Sequence, residues 1–233
     1  MEEVIKLENV HKHYQMGDNI VRAVNGISMV VNKGEMISIM GPSGSGKSTA
    51  MNLIGSLDIP TKGKIFLDGK NIAELSESDL AVIRGKKIGF IFQQFNLIPN
   101  LTAKENVMLP MMFQSKDISE REERAEELLK MVELSERMDH YPNQLSGGQQ
   151  QRVAIARALA NDPEVILADE PTGNLDTKTG DTVLSFLEKL NKQGKTIIIV
   201  THEPEVAEKN TEKIYWLLDG KIEKTTNKKG KKK

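Results

Sequence analysis

Short apolar runs broken by polar turns dominate this chain, and their period changes along it. In the first 35 residues the apolar positions are Val4, Leu7 and Val10, then Ile20, Ala23 and Val24, then Ile27, Met29 and Val31, a pattern that predicts strands. MISIM (36–40) is a compact apolar strand that runs straight into GPSGSGKST, and Thr49 to Leu57 reads as the following helix. KIFLDGKNI (64–72) predicts a hairpin, because Asp68-Gly69 takes up the positive φ angles of a two-residue turn. KIGFIF (87–92) is a further strand. From Gln94 to Ala160 the period becomes helical, with SEREERAEELLKMVEL (119–134) the most charged helix. In QQQRVAIARALA, Val153, Ile155, Ala156 and Leu159 form an apolar stripe. EVILADE (164–170) and KTIIIVT (195–201) then return as continuously apolar strands, the signature of a parallel sheet covered on both faces. IYWLLDGKIE (214–223) repeats the strand, Asp-Gly, strand pattern, and no internal repeat is visible.

These elements predict an α/β fold, with a mainly parallel core, an antiparallel lobe before it and a helical insert within it. The expected organisation is one domain over 1–223, with the antiparallel lobe at about 1–35 and 61–92. The helical insert covers about 94–160, the core 36–60 and 161–223, and a basic, disordered tail 224–233. At 233 residues the chain has the length of one domain, or of one domain with a lobe inserted. It buries enough surface to fold without a disulfide or metal staple. It contains no cysteine, which excludes thiol chemistry. The start, MEEVIKLENV, lacks the basic and apolar regions of a signal peptide, and no apolar run approaches a membrane span, so a soluble, cytoplasmic protein is expected. A net charge of −1 gives no support for nucleic-acid binding. The terminal KKGKKK reads as a solvated end, with attraction to an anionic membrane surface as the alternative.

Six stretches carry candidate chemistry. Gly41, Pro42, Ser43, Gly44, Ser45, Gly46, Lys47 and Ser48 fit G-x-x-x-x-G-K-[ST] between a strand and a helix. The glycines let backbone N–H groups close around phosphate oxygens, Lys47 reaches the β- and γ-phosphates, and the Ser48 hydroxyl ligates Mg²⁺. EVILADE ends in Asp169 and Glu170 at the carboxyl end of a core strand, where ligands bind in open parallel sheets. Asp169 is the candidate Mg²⁺ carboxylate and Glu170 the candidate general base. His202 follows the next core strand and is a candidate γ-phosphate contact; the competing reading is a structural histidine at a strand end. Gln93 or Gln94, after KIGFIF, supplies an amide for Mg²⁺ or water, and spacing alone does not separate the two. LSGGQ (145–149) is a turn feeding a helix, and such an N-terminus is a second anion device without a second lysine loop. Tyr14, in HKHYQMG, reads first as an ordinary strand-face ring, with an exposed ring stacking on adenine as the alternative.

With GPSGSGKST, Gln93, LSGGQ, ILADE, NLD and His202 in this order, the chain resembles the ATP-binding subunit of ABC transporters over about residues 4–223. The stretch GFIFQQFNLIPNLTAKENV looks like the lipoprotein-release and macrolide-export subgroup. The resemblance implies a P-loop NTPase (RecA-like) core and makes Gln93 the phosphate-loop glutamine. It makes Tyr14 the ring that stacks on adenine, extends the nucleotide set to Thr49, and assigns ATP and Mg²⁺. Asp176, in NLD, becomes a contact to the opposite subunit, although Gly173-Asn174 stands where a small pair is usual. Two cassettes pack head to tail in this family, so Ser146, Gly147, Gly148 and Gln149 cap a γ-phosphate held by the other copy. A separate membrane subunit is implied, docking near Gln93 and Phe95–Glu105 on the inner face of the cell membrane, where Phe95, Leu97, Ile98 and Leu101 suit a contact patch or packing within the helical lobe.

Rival classes fit less well. A GTPase wants Asn-Lys-x-Asp, and NKQG (191–194) lacks the aspartate. A small-molecule kinase has no use for LSGGQ, and Glu170 with His202 argues against an ATP-binding scaffold that does not turn over. Soluble cassettes that act on DNA or ribosomes need a second cassette or a long coiled coil, which are absent here. A cell-division-type or other non-transporting ABC ATPase is the alternative function.

Overall fold

The computed structural model describes residues 2–228. In chain order its elements are β1 (Glu3–Met16), β2 (Asn19–Asn32), β3 (Met36–Met40), α1 (Lys47–Ile54), β4 (Lys62–Leu67), β5 (Lys70–Asn71), α2 (Glu77–Lys87) and β6 (Ile88–Ile91). They continue as α3 (Ala103–Met112), α4 (Ile118–Met131), α5 (Gly147–Ala158), β7 (Val165–Asp169), α6 (Thr177–Lys192), β8 (Thr196–Thr201), α7 (Pro204–Asn210), β9 (Lys213–Leu218) and β10 (Lys221–Asn227). The mixed α/β class is as expected, with both antiparallel and parallel pairing. None of the described helices is long and apolar enough to cross a membrane.

The chain divides into two compact units, one formed by residues up to Ala81 with those from Leu190 onward, the other by Val82–Lys189. In the first unit β2, β1, β4 and β5 form an antiparallel sheet in that order. Val4, Leu7 and Val10 are all buried although they are three residues apart, a spacing no regular strand allows. The register between β1 and β2 shifts between Leu7 and Val10, and Asn9 lies at φ 47°, so a bulge resets which residues face inward. Gly63 of β4 packs against this bulge, since a Cβ there would lie 2.3 Å from the Asn9 carbonyl oxygen. The Asp68-Gly69 hairpin forms as expected, both residues having positive φ, with Leu67 paired to Lys70.

The same unit holds β3, paired in parallel with β8 on one side and β9 on the other. Ile37, Ile39, Ile197, Ile198, Ile199 and Val200 are buried, which explains why these strands read as continuous apolar runs. β9 and β10 close a second hairpin over Asp219-Gly220. Here the structure corrects the expected tail: residues 224–227 belong to β10. Trp216 donates from Nε1 to Thr226 Oγ1 at 3.0 Å, and the Lys224 ammonium lies 4.3 Å from the Trp216 ring centroid. Residues 229–233, the rest of that tail, lie outside the described residues.

In the second unit β6 pairs in parallel with β7, from Ile88↔Val165 to Ile91↔Ala168. This corrects the expected extent of the antiparallel lobe, which ends at β5; the 77–87 stretch is helical and β6 is a parallel strand. Periodicity alone does not name a strand's partner, and an apolar run suits either arrangement. The α5 stripe behaves as expected: Val153, Ile155, Ala156 and Leu159 are buried, and full burial of each large aliphatic contributes roughly 1.5–3 kcal/mol. At its far end α5 meets β6 backbone to backbone, since a Cβ on Gly89 would fall 2.3 Å from the Ala158 carbonyl oxygen.

The loop from Ile98 to Thr102 is held by a single buried side chain. Asn106 Oδ1 accepts from the Ile98 N–H at 2.8 Å, and Nδ2 donates to the Ile98, Leu101 and Thr102 carbonyls at 3.2, 3.0 and 3.0 Å. Thr102 then caps α3, its hydroxyl accepting from the Glu105 N–H while the Glu105 carboxylate accepts from the Thr102 N–H. Asn106→Leu, of similar volume, strands these groups and is expected to cost about 3 kcal/mol in urea unfolding at unchanged m. A loss below about 0.5 kcal/mol would show that the loop finds other partners.

Candidate nucleotide-binding site

The phosphate loop joins β3 to α1, and two of its glycines are dictated by backbone approach. A Cβ on Gly41 would lie 2.1 Å from the Leu217 carbonyl oxygen of β9, and one on Gly46 would lie 2.2 Å from the Ala23 carbonyl oxygen of β2. Gly46 also lies at φ 99° and Gly44 at φ 79°, angles open to glycine and strained for other residues. Further ties fix the loop's place: the Gly220 N–H donates to the Ser45 carbonyl at 3.0 Å and the Asn25 N–H to the Gly220 carbonyl at 2.8 Å. Lys47 is buried, with Nζ donating to the carbonyls of Gly41 and Pro42 at 2.8 and 2.9 Å, so the ammonium lies across the loop it is expected to serve. Ser45 Oγ is buried without a hydrogen-bond partner, an orphan that an anion accepting from the loop would satisfy. Pro42, Ser43, Gly44 and Ser48 are exposed, and Thr49 is half-buried on the first turn of α1.

Tyr14, on β1, has an exposed ring. Its hydroxyl donates to Asp58 Oδ2 at 2.9 Å, and Lys12 pairs with Asp58 Oδ1 and lies 5.2 Å from the Tyr14 ring centroid. Burial, then the Asp58 carboxylate, raise the phenol pKa above its ordinary value, against a smaller opposing effect of the Thr49 hydroxyl, so the ring stays neutral. Burial pushes Asp58 itself up, but Lys12, Tyr14 and the Ile59 N–H outweigh it and hold the carboxylate down. Asp58 follows the phosphate-loop helix, and this network ties the aromatic ring to it. His202 is the first residue after β8 and is exposed.

The second unit holds the remaining candidates. Gln93 is exposed and lies two residues beyond the end of β6; Asp169 is the last residue of β7 and Glu170 follows it at φ 44°, a left-handed conformation that strains a side-chain-bearing residue. Ser146 is the N-cap of α5: its hydroxyl accepts from the Gln149 N–H at 3.3 Å and Gln149 Oε1 accepts from the Ser146 N–H at 2.8 Å. LSGGQ is therefore a capping box whose glycines, Gly147 and Gly148, form the first turn. Asp176 caps α6, with Oδ1 accepting from the Thr179 N–H at 3.0 Å and Oδ2 from the Thr179 hydroxyl at 2.6 Å. Thr179 in turn fills the space beside Gly148, where an added Cβ would lie 2.5 Å from its methyl.

Four residues connect these parts: Arg157, Gln151 and Thr179, to which no motif points, and Asn174, which the sequence marks only as unusual beside Asp176. Arg157, near the C-terminal end of α5, donates to the Phe95 and Asn96 carbonyls at 2.9 and 2.6 Å; burial holds its pKa below the usual arginine value. Gln151 is fully buried and donates to the Pro171 carbonyl at 2.8 Å. Asn174 donates to the Gln93 carbonyl at 2.8 Å, and Thr179 links the Asp176 cap to Gly148. Phe95 packs inward, its ring 3.7 Å from where a Gly147 Cβ would stand, whereas Ile98 is exposed. Gln94 is exposed, and the backbone around Gln93 is what the neighbouring elements grip.

A glycine-cradled phosphate loop between a strand and a helix, acids at the end of a parallel strand and a capped LSGGQ helix define a P-loop ATPase. The family described as "ABC transporter" matches residues 24–173, more than half of the chain, and the chain belongs to that family as one of its ATP-binding, ATP-hydrolysing cassettes. It is 55% identical over 226 residues to an uncharacterized ABC transporter ATP-binding protein, MJ0796, of Methanocaldococcus jannaschii, covering 95% of this chain and 96% of that one. A dimeric structure of the MJ0796 cassette in a post-hydrolysis state, bound to ADP and Pi, matches with a TM-score of 0.90 at 52% identity, over 97% of this chain and 99% of that chain. The macrolide export ATP-binding/permease protein MacB of Bdellovibrio bacteriovorus is 49% identical over 220 residues; the match takes in 94% of this chain and 33% of MacB.

The Thr179 hydroxyl and N–H hold the Asp176 carboxyl below its ordinary value. A carboxylate whose folded pKa is depressed contributes stability above its unfolded pKa of about 3.9, lost as pH falls through the lower folded value. Asp176→Ala should therefore lower the thermal midpoint by about 2–4 °C at pH 7, a difference that narrows below about pH 4. A gap that stays constant down to pH 2.5 would contradict an ionised cap.

Proposed function

We propose that this chain is the motor subunit of an ABC transporter, working as an ATP-driven head-to-tail homodimer beneath a separate membrane subunit, of the lipoprotein-release or macrolide-export type. The observation that carries the proposal is the pair of anion-ready helix N-termini, at Lys47 and at Ser146, against a single lysine-bearing loop. One chain then supplies two half-sites, and the second copy completes each. The dimeric MJ0796 cassette and the export protein MacB support this reading.

The residues divide the work as follows. Backbone N–H groups of Gly41–Thr49 and the Lys47 ammonium neutralise the charge that develops on the transferred phosphoryl group. Ser48, Gln93 and Asp169 offer only oxygen donors, a set that fits Mg²⁺. Held by these residues, Mg²⁺ would supply positive charge to offset that of the phosphate groups. Glu170 takes the proton of the attacking water, His202 holds the γ-phosphate, and the Tyr14 ring stacks on adenine. From the partner copy, Ser146, Gly147, Gly148 and Gln149 cap the same γ-phosphate, and Asp176 contacts the opposite subunit.

ATP that bridges two copies favours the closed dimer by its differential affinity alone, and loss of the γ-phosphate removes that bias. The membrane subunit docks near Gln93 and Phe95–Glu105, where Arg157 and Asn106 stiffen the loop and Ile98 is exposed. In this arrangement the chain is peripheral on the cytoplasmic face of the membrane.

Ser146→Arg tests the shared site. It should leave ATP affinity of the monomer within about twofold while hydrolysis falls at least about a hundredfold, the scale of removing one transition-state donor. Equal losses of binding and hydrolysis would place Ser146 in its own chain's site instead. Glu170→Gln should abolish turnover with ATP still bound, and rapid turnover would defeat its role as base.

A further inference from the structure

We infer that Asn174 is a positioning residue for hydrolysis, holding Gln93 in fixed register with Glu170; this rests on the roles proposed above for those two residues. The turn that follows Glu170 is pinned at several points. The Gly173 N–H donates to the Glu170 carbonyl at 3.0 Å, the Leu175 N–H to the Thr172 carbonyl at 3.0 Å, and Gln151 donates to the Pro171 carbonyl at 2.8 Å. The left-handed φ of 44° at Glu170 is maintained by this over-determined turn.

From the same turn two adjacent residues reach Gln93, 81 positions earlier in the chain than Asn174. Asn174 Nδ2 donates to the Gln93 carbonyl at 2.8 Å. Gly173 leaves room for the Gln93 side chain, since a Cβ there would lie 2.9 Å from its Nε2 and 3.4 Å from Cδ and Cγ. One residue holds the Gln93 peptide and the other leaves room for its side chain. The candidate base and the candidate Mg²⁺ amide are thus joined through four residues of one rigid turn. A small residue at 174 leaves that carbonyl without this donor, and aspartate at 174 sets an oxygen against it.

Steady-state hydrolysis by the full chain, with kcat and KM for MgATP measured across a double-mutant cycle, tests the inference. Asn174→Ala should lower kcat about three- to tenfold, the range one neutral hydrogen bond commands, with KM within about twofold. Asn174→Asp should lower kcat at least as far. In a Gln93→Ala background Asn174→Ala should have no further effect. Gly173→Ala should lower kcat with little change in thermal midpoint, because the atom it displaces is the far end of a flexible side chain. Additive losses in the cycle, or an Asn174→Ala enzyme with wild-type kcat, would overturn the inference while leaving the role of Gln93 intact. An unchanged kcat for Gln93→Ala would overturn both.

Discussion

Close approach of main chain to main chain at the phosphate loop is the constraint on which the first unit is built. Gly41 lies against the Leu217 carbonyl and Gly46 against the Ala23 carbonyl, so strands β9 and β2 both abut the turn between β3 and α1. A side chain at either glycine meets backbone oxygen, which cannot swing away. The loop's glycines are therefore as much a packing requirement as a phosphate-binding one. Lys47 lies across the loop, and the Tyr14–Asp58 network extends from the far end of the same helix. The atoms that hold the loop in the fold are thus also those proposed to serve the nucleotide.

The second unit is organised around α5. Its N-terminus presents LSGGQ, its middle holds the Glu170–Pro171 turn through Gln151, and Arg157 near its C-terminus holds the loop after Gln93. A shift of this helix along its axis would be felt at all three places. Under the proposed function, this would give a subunit docked on the 95–105 loop and a nucleotide at LSGGQ a mechanical route to sense one another, without any long-range wire.

Much of this was legible in the sequence, for physical reasons. The phosphate loop, LSGGQ and the two Asp-Gly hairpins are local: their backbone conformations are encoded in adjacent residues, and β4–β5 and β9–β10 follow directly. Buried parallel strands announce themselves as MISIM, EVILADE and KTIIIVT. Strand partners do not: the apolar run of β6 suits the antiparallel lobe as well as it suits its actual parallel pairing with β7. Nor did the three-residue spacing of Val4, Leu7 and Val10 disclose the bulge at Asn9. Asn174, Arg157, Gln151 and Thr179 act through contacts distant in sequence, and no spacing rule points to them.

In the proposed dimer each LSGGQ helix completes a phosphate site begun by another copy. Sedimentation velocity of the Glu170→Gln protein with MgATP, against the same protein with MgADP, tests it most directly. A dimer with ATP and a monomer with ADP is the expected result. A monomer in both, with nucleotide demonstrably bound, would contradict it.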